Sequence, residues 1–313
     1  MNKRLKIVFM GTPEFALPSL KALDVHHDVV CVVTNPDKPK GRGGKVTSPC
    51  TKVYAESKGI DVLQPESVKA KEFYDALTSY GADVFVTCAY GKILPESIIS
   101  IPKFGCINIH ASLLPKYRGA APLWHCIIDG EKETGITTMM TDVGMDTGDI
   151  LLAREIDIPV DMTMGELHDV LAELGSVVII ETIDKLMDGT LKRIPQNHDE
   201  ATYAPMVTRE TGRIDFKKSA LDVHNLVRGT NPFPGSYCFV DGKKLKIWKT
   251  ALVDMDVEDA RPGEVVEIDQ TGALVKAGLG VVRIIEVQGE NAKRMHVWDY
   301  NNGHPMPPGT ILN

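Results

Sequence analysis

Asn108 and His110 stand two residues apart in "CINIHASLLPKYRGAAP", the stretch 106–122, and Asp142, Asp146 and Asp149 follow in "TDVGMDTGDI". Side chains of a strand alternate faces, so Asn108 and His110 point to one side while Ile107 and Ile109 point to the other. An amide can donate to an oxyanion, and an imidazole backed by a carboxylate can move a proton. Direct acyl-type transfer to an amine needs those two capacities. Taken alone, the pair reads more readily as a buried His and Asn satisfied by backbone groups. The acidic loop downstream turns the balance toward chemistry, because one of its carboxylates could reach back to His110, fix its tautomer and steady its charged form. The residues alone leave open which of the three acids does so. The loop lacks the EF-hand spacing and no helix precedes it, which argues against a calcium site.

Other chemistries lack their residues. There is no GxSxG elbow, no GxxxxGK[ST] loop, and no GxGxxG after the first strand, where "FMGTPEFALPSL" stands instead. Cysteines at 31, 50, 88, 106, 126 and 238 form no C-x-x-C pair, so neither a zinc ribbon nor a thioredoxin-type motif is written here, and a reducing, cytoplasmic setting fits them best. No metal is called for, and no Cys or Ser stands out as a covalent nucleophile. The chain enters its first strand from "MNKRLKIVFMG" without the features of a signal peptide, and no run approaches 18 apolar residues, so no membrane span is expected.

The elements that must position these groups can be read from periodicity. Apolar, β-branched runs at 7–10, 29–33, 84–88 and 107–109 alternate with helical spacing at 14–23, 51–58, 67–80 and 123–129. Near-continuous apolar strands alternating with helices predict a doubly wound α/β domain with a parallel, Rossmann-like sheet. In such a sheet ligands sit at the carboxyl ends of the strands, where Asn108 and His110 fall. "GITTMM" and "ILLAREIDI" read as further strands, and 165–187 as a helix closing the domain. The aperiodic, proline-containing stretch 190–205 reads as a linker between a domain of residues 1–189 and one of residues 206–313. The second domain holds short β-type runs separated by Gly, Pro and Asp, which predicts a small β-barrel or sandwich.

Across its whole length the chain resembles the methionyl-tRNA formyltransferases. The matching pieces are "GTPEFA" at 11–16, "NPDKPKGRGGK" at 35–45, "AYGKILP" at 89–95, "CINIHASLLPKYRGAAP" at 106–122, "DVGMDTGDIL" at 142–151 and "NPFPGSY" at 231–237. The Asn-x-His with SLLP and the later D-x-G-D are shared with other formyltetrahydrofolate-using enzymes, whereas the GRG loop and the NPFPG domain single out the tRNA family. The resemblance implies that a formyl group moves from 10-formyltetrahydrofolate to the α-amino group of methionyl initiator tRNA. It implies that Asn108, His110 and Asp146 are the catalytic trio and that Ser112, Leu113, Leu114 and Pro115 contact the folate. The loops carrying Tyr90, Ile93 and Leu94, and Thr141 and Gly144, would wall the pterin. It also implies an OB-like second domain that binds tRNA, in a monomeric protein. "GTPEF" is either core, through Phe15, or a contact for the methionine side chain.

Lys plus Arg number 35 against 42 for Asp plus Glu, and a net charge of -7 excludes a surface that is basic throughout. Local basic features remain. Between 35 and 52, Lys38, Lys40, Arg42, Lys45 and Lys52 face Asp37 as the only acid. With Pro36, Pro39, Gly41, Gly43 and Gly44 this segment is expected to lack regular structure, either as a solvated loop or as an arm that orders on a polyanion. The resemblance favours the arm, with Arg42 as its leading contact; position 44, basic in some relatives, is Gly here. In "KKLKIWK", Lys244, Lys246 and Trp248 share one face and Leu245 and Ile247 the other, giving either a lysine-protected edge or an RNA-binding face. Two rival readings are formyl transfer to a small amine, such as a glycinamide ribonucleotide or an amino sugar nucleotide, and a folate- or RNA-binding protein without catalysis.

Overall fold

A computed structural model of the protein describes residues 4–40 and 45–313. The strands of the first half are β1 (Lys6–Gly11), β2 (Asp28–Val33), β3 (Lys38–Lys40), β4 (Lys45–Thr47), β5 (Asp61–Leu63), β6 (Val84–Cys88), β7 (Cys106–His110), β8 (Arg118–Gly119), β9 (Glu133–Met140) and β10 (Ile150–Asp157). The helices are α1 (Leu17–His26), α2 (Cys50–Lys58), α3 (Lys71–Ser79), α4 (Glu96–Ile99), α5 (Pro122–Ile128) and α6 (Met164–Asp188). Seven strands form one sheet in the order β10-β9-β7-β6-β1-β2-β5, in which β5, β2, β1, β6 and β7 pair in parallel and β9 runs antiparallel to β7.

This is the Rossmann-like α/β sheet that the apolar runs predict. Ile7, Val8, Phe9 and Met10 are all fully buried, and each such side chain contributes roughly 1.5–3 kcal/mol by leaving water. The chain builds outward from β1 to β2 and β5, then crosses back to β6 and β7. That reversal opens a crevice at the carboxyl ends of β1 and β6, the customary ligand position of this architecture. Gly59, left-handed at φ 70, ends α2.

The segment 35–52 departs from its expected irregularity. β3 and β4 form an antiparallel ladder pairing Lys38 with Thr47, Pro39 with Val46 and Lys40 with Lys45. Proline and flanking glycines read as punctuation in a sequence, yet a short two-stranded ladder accepts a proline whose nitrogen is not needed as a donor. Arg42 lies outside the described residues.

The stretch 190–205 is anchored at two points. Ile194 bridges Ile150, and β11 (Tyr203–Ala204) pairs in parallel with β8. Two compact units result, one of Met1–Pro122, Thr134–Ile156 and His168–Ala204, the other of Leu123–Glu133, Asp157–Leu167 and Pro205–Asn313.

The second unit contains α7 (Ala220–Gly229), β12 (Ser236–Val240), β13 (Lys243–Val253), β14 (Val265–Asp269), β15 (Gly272–Lys276), β16 (Val281–Gln288), β17 (Met295–His296) and α8 (Val297–Gly303). Ser219 caps α7, its side chain and that of Asp222 each accepting the other's backbone N–H. The strands form a sheet in the order β12-β13-β16-β15-β14, with β17 beside β16. Among the described residues this path stays open, its end strands β12 and β14 unpaired with each other. Buried Arg228 and His224 grip the 157–167 segment by donating to the carbonyls of Pro159, Met162 and Val160.

Candidate active site

β7 delivers Asn108 and His110 from one strand face, as its period of two requires. Asn108 lies opposite Thr87 on β6, and Thr87 Oγ1 donates to Asn108 Oδ1 at 2.8 Å. With its oxygen engaged, the amide presents Nδ2, a donor, as its other end. The orientation is the one an oxyanion would need.

His110 is 6% exposed, and its two ring nitrogens face different acceptors. Nε2 lies 3.0 Å from the Tyr117 carbonyl, which can only accept, so Nε2 carries the hydrogen. Nδ1 lies 3.6 Å from Asp146 Oδ1. A neutral ring therefore offers its lone pair at Nδ1, and a proton gained there points at a carboxylate.

The acidic loop separates Asp142 from Asp146 by partner. Asp142 accepts from Thr147 Oγ1 at 2.7 and 2.8 Å and from the Gly144 N–H at 3.1 Å, so it closes its own turn. Asp146 alone of the three comes within ion-pair distance of His110, and its Oδ2 accepts the Gly119 N–H at 2.8 Å. Two of the loop's glycines are steric necessities. A Cβ at Gly144 would lie 2.0 Å from Thr147 Oγ1, and one at Gly148 would lie 1.8 Å from the Met140 carbonyl oxygen.

Nearby thiols are unsuited to nucleophilic work. Burial pushes the Cys88 thiol up to about 12 and the Cys106 thiol up to about 11, so both are protonated at neutral pH. Among the described residues no group of three or more His, Cys, Asp or Glu could hold a metal ion, and no helix is long and apolar enough to cross a membrane.

The segment from Ser112 to Pro115 turns sharply beside this trio. Ser112 is buried, donating from Oγ to the Lys116 carbonyl, while Thr137 Oγ1 donates to the Ser112 carbonyl and accepts the Leu114 N–H. Leu113 and Pro115 are partly exposed. The Tyr90 loop is divided. Tyr90 and Leu94 pack into the apolar cluster with Val8, Met10 and Val33, whereas Ile93 is 68% exposed. The Tyr90 hydroxyl is buried without a partner in the described structure. Thr141 is held by its backbone N–H on the Cys106 carbonyl, and Gly144 is exposed. Phe15 is buried edge-on against His168, with ring centroids 5.4 Å apart, while its neighbours Thr12, Pro13 and Glu14 line a cleft of about 540 Å³.

The basic residues fall in two places. Lys38 is exposed on β3, and Lys40 and Lys45 pair through their backbones. Lys52 is not free, since Asp37 and Gln64 hold its ammonium at 2.9 Å each. Gln64 and then Lys52 hold the Asp37 carboxyl down at about 2. In the second unit Lys244 lies 3.4 Å over the Tyr237 ring and Lys246 4.9 Å over Trp248. Arg213 over Phe239 and Arg294 over Trp248 extend this cation-on-aromatic face. Leu245 and Ile247 are buried on the opposite face, as their alternation predicts. Burial, then the like charges of Lys244 and Arg209, keep the Lys246 ammonium below its ordinary pKa.

The family model described as formyl transferase matches residues 5–183, and the formyl transferase C-terminal domain matches 206–305. The chain belongs to the formyl transferase family. A methionyl-tRNA formyltransferase of Acetivibrio thermocellus is 52% identical over 309 residues, covering 98% of this chain and 99% of that protein. The methionyl-tRNA formyltransferase of Caldanaerobacter subterraneus subsp. tengcongensis is likewise 52% identical, over 310 residues covering 98% of this chain and all of that one. Among solved structures, the sugar 3N-formyl transferase WlaRD aligns with a TM-score of 0.68 at 21% identity, covering 93% of this chain and 100% of that one. The N-formyltransferase of Helicobacter canadensis aligns at 0.68 and 20% identity, covering 91% and 99%. At such identity these two share the fold.

At this candidate site the structure adds Thr87, the 117–119 backbone and Gln196, none of which the sequence analysis singles out. Thr87 had a findable signal, a hydroxyl on the neighbouring predicted strand at the same height as Asn108. The other two had none, because backbone groups are present at every residue and Gln196 lies in an aperiodic stretch.

Proposed function

We propose that this chain transfers the formyl group of 10-formyltetrahydrofolate to the α-amino group of methionyl initiator tRNA. The observation that carries the reading is identity at about half of all positions, over nearly the whole of both chains, to proteins named methionyl-tRNA formyltransferase. The site chemistry supports it. The amine nitrogen attacks the formyl carbon, and the C–N10 bond breaks after a tetrahedral intermediate whose oxyanion accepts from Asn108 Nδ2. The proton lost by the amine passes through His110 Nδ1, with Asp146 opposite its charge, and the departing N10 gains a proton, so the atoms balance. A reference α-amino group titrates around 7.7–8.0, so a modest base suffices.

In this reading Ser112, Leu113, Leu114 and Pro115, with Ile93, Thr141 and Gly144, line the folate. Tyr90 and Leu94, turned into the core, support that wall from behind. Residues 1–189 hold the reacting groups of the formyl site, 190–205 connect the two domains while contributing Gln196 beside Asp146, and 206–313 form an OB-like domain offering Lys244 and Lys246 to tRNA. Lys38, Lys40, Arg42 and Lys45 meet the acceptor end. The protein acts as a cytoplasmic monomer.

Incubation of the purified protein with formyl-labelled donor and charged initiator tRNA tests the reading directly. Label should appear on methionine. Label that instead appears on a glycinamide ribonucleotide or an amino sugar nucleotide overturns the tRNA assignment, and donor binding without transfer to any amine overturns catalysis.

A further inference from the structure

Arg118 is a buried charge that the chemistry above does not use. It is 2% exposed, and among the described residues no carboxylate pairs with it. Its guanidinium donates instead to Gln196 Oε1, from Nε at 3.1 Å and from Nη2 at 2.6 Å, and to His198 Nδ1 at 3.1 Å. A guanidinium held dry without a counterion is costly unless its donors are well used.

Their use is to decide which way Gln196 faces. With Oε1 held by a two-pronged donor, Nε2 is turned to the other side, where it donates to the carbonyl oxygens of Asp146 at 2.9 Å and Gly148 at 2.7 Å. A reversed amide would set its oxygen against two carbonyls and its NH2 against a cation. Asp146 needs such restraint, because its φ of 54 places a non-glycine residue in the left-handed region.

The residues flanking Arg118 hold the other ends of the same arrangement. The Tyr117 carbonyl accepts from His110 Nε2, and the Gly119 N–H donates to Asp146 Oδ2. Parallel pairing with β11 anchors this three-residue segment, Arg118 donating its N–H to the Thr202 carbonyl.

We propose that Arg118 and Gln196 are positioning residues that set the Asp146 carboxylate against the His110 ring, acting through the backbone of the acidic loop. The proposal rests on the reading of Asn108, His110 and Asp146 as the reacting groups. Specificity for Gln over its isostere follows, since a glutamate at 196 would gain an ion pair with Arg118 while losing both donations to the loop.

The test is a double-variant cycle of Gln196→Glu and Asp146→Asn in the full chain, with kcat, both KM values and the thermal midpoint measured for each. Gln196→Glu should lower kcat by about 10- to 100-fold, the scale of a slight misplacement at a reacting centre, with each KM within about threefold and the thermal midpoint at or above that of wild type. In the Asp146→Asn background the same change should cost less than about twofold, because residues acting through one another are non-additive. Should Gln196→Glu fail to fold, Arg118→Lys, which keeps the charge but loses the two-pronged donor, runs the same cycle with the same expectation. Unchanged kcat, full additivity with Asp146→Asn, or a loss of kcat that tracks a loss of thermal stability overturns the proposal while wild-type transfer stays intact. Wild-type protein that transfers no formyl group overturns the functional reading and the proposal with it.

Discussion

Around β7 every group assigned to chemistry is turned by a partner, Asn108 by Thr87 and His110 by Tyr117 and Asp146. On the face formed by β12 and β13, Lys244 and Lys246 instead lie over aromatic rings, in a half-exposed surface crowded with like charge. The first arrangement fixes direction, which a reaction at one carbon needs. The second concentrates charge and stacking surface, which suits a long polyanion whose backbone and bases are met in several places. Mutations in the two regions should therefore fail differently, one in turnover and the other in binding.

The largest expected effect is in the first region. Asn108→Ala should lower single-turnover formyl transfer by about 10²–10³-fold, the usual loss of an oxyanion donor, with tRNA affinity and its salt dependence unchanged. Turnover within about threefold of wild type would remove Asn108 from its role. Trp248→Ala should weaken tRNA binding by about 5- to 150-fold, since stacking one base is worth about 1–3 kcal/mol, while transfer at saturating tRNA is kept. Lys244→Gln should also reduce the slope of log affinity against log salt by roughly 0.7–0.9 per lost phosphate contact. Filter binding across a salt series reads both, and an unchanged slope would return the face to ordinary surface.

Thr87→Val sharpens the comparison from inside the site. It removes one hydrogen bond worth about 0.5–1.5 kcal/mol, so turnover should fall by about 2- to 12-fold without a change in tRNA affinity. A loss of binding instead would mean that Thr87 supports something other than the amide.

The smallest effect is on stability and contrasts two buried histidines. Burial lowers the pKa of both His27 and His224 below the ordinary 6.5. An unfolded chain gains those protons as pH falls below that value while the folded chain resists, so stability is complete above it and declines as pH drops toward the folded pKa. Among the described residues His27 has no partner on either ring nitrogen, whereas His224 is engaged by Thr250 and the Val160 carbonyl. His27→Leu should therefore keep its stability at pH 7.5 and lose less than wild type by pH 5, while His224→Leu should be less stable at both. Thermal midpoints at the two pH values read the difference, and a steeper acid loss in His27→Leu would contradict it.

Much of this was legible in the residue order. The period of two puts Asn108 and His110 on one face whatever the fold, and near-continuous apolar strands require a sheet covered on both sides, which sets those residues at a carboxyl end. Lys244, Lys246 and Trp248 were assigned to one face by the same alternation. Short-range periodicity carries this information because it is a property of the chain's own geometry.

The choice among Asp142, Asp146 and Asp149 was not in that order. Their partners differ only in three dimensions, where Thr147 and the Gly144 N–H engage Asp142 while Gly119 and Gln196, distant in sequence, engage Asp146. The β3–β4 ladder was hidden for a related reason, since backbone donors and acceptors are the same at every residue and only their pairing reveals them. Residue types thus determined which chemistry the chain could perform, and long-range hydrogen bonds, which leave no periodic mark, decided which atoms face one another to perform it.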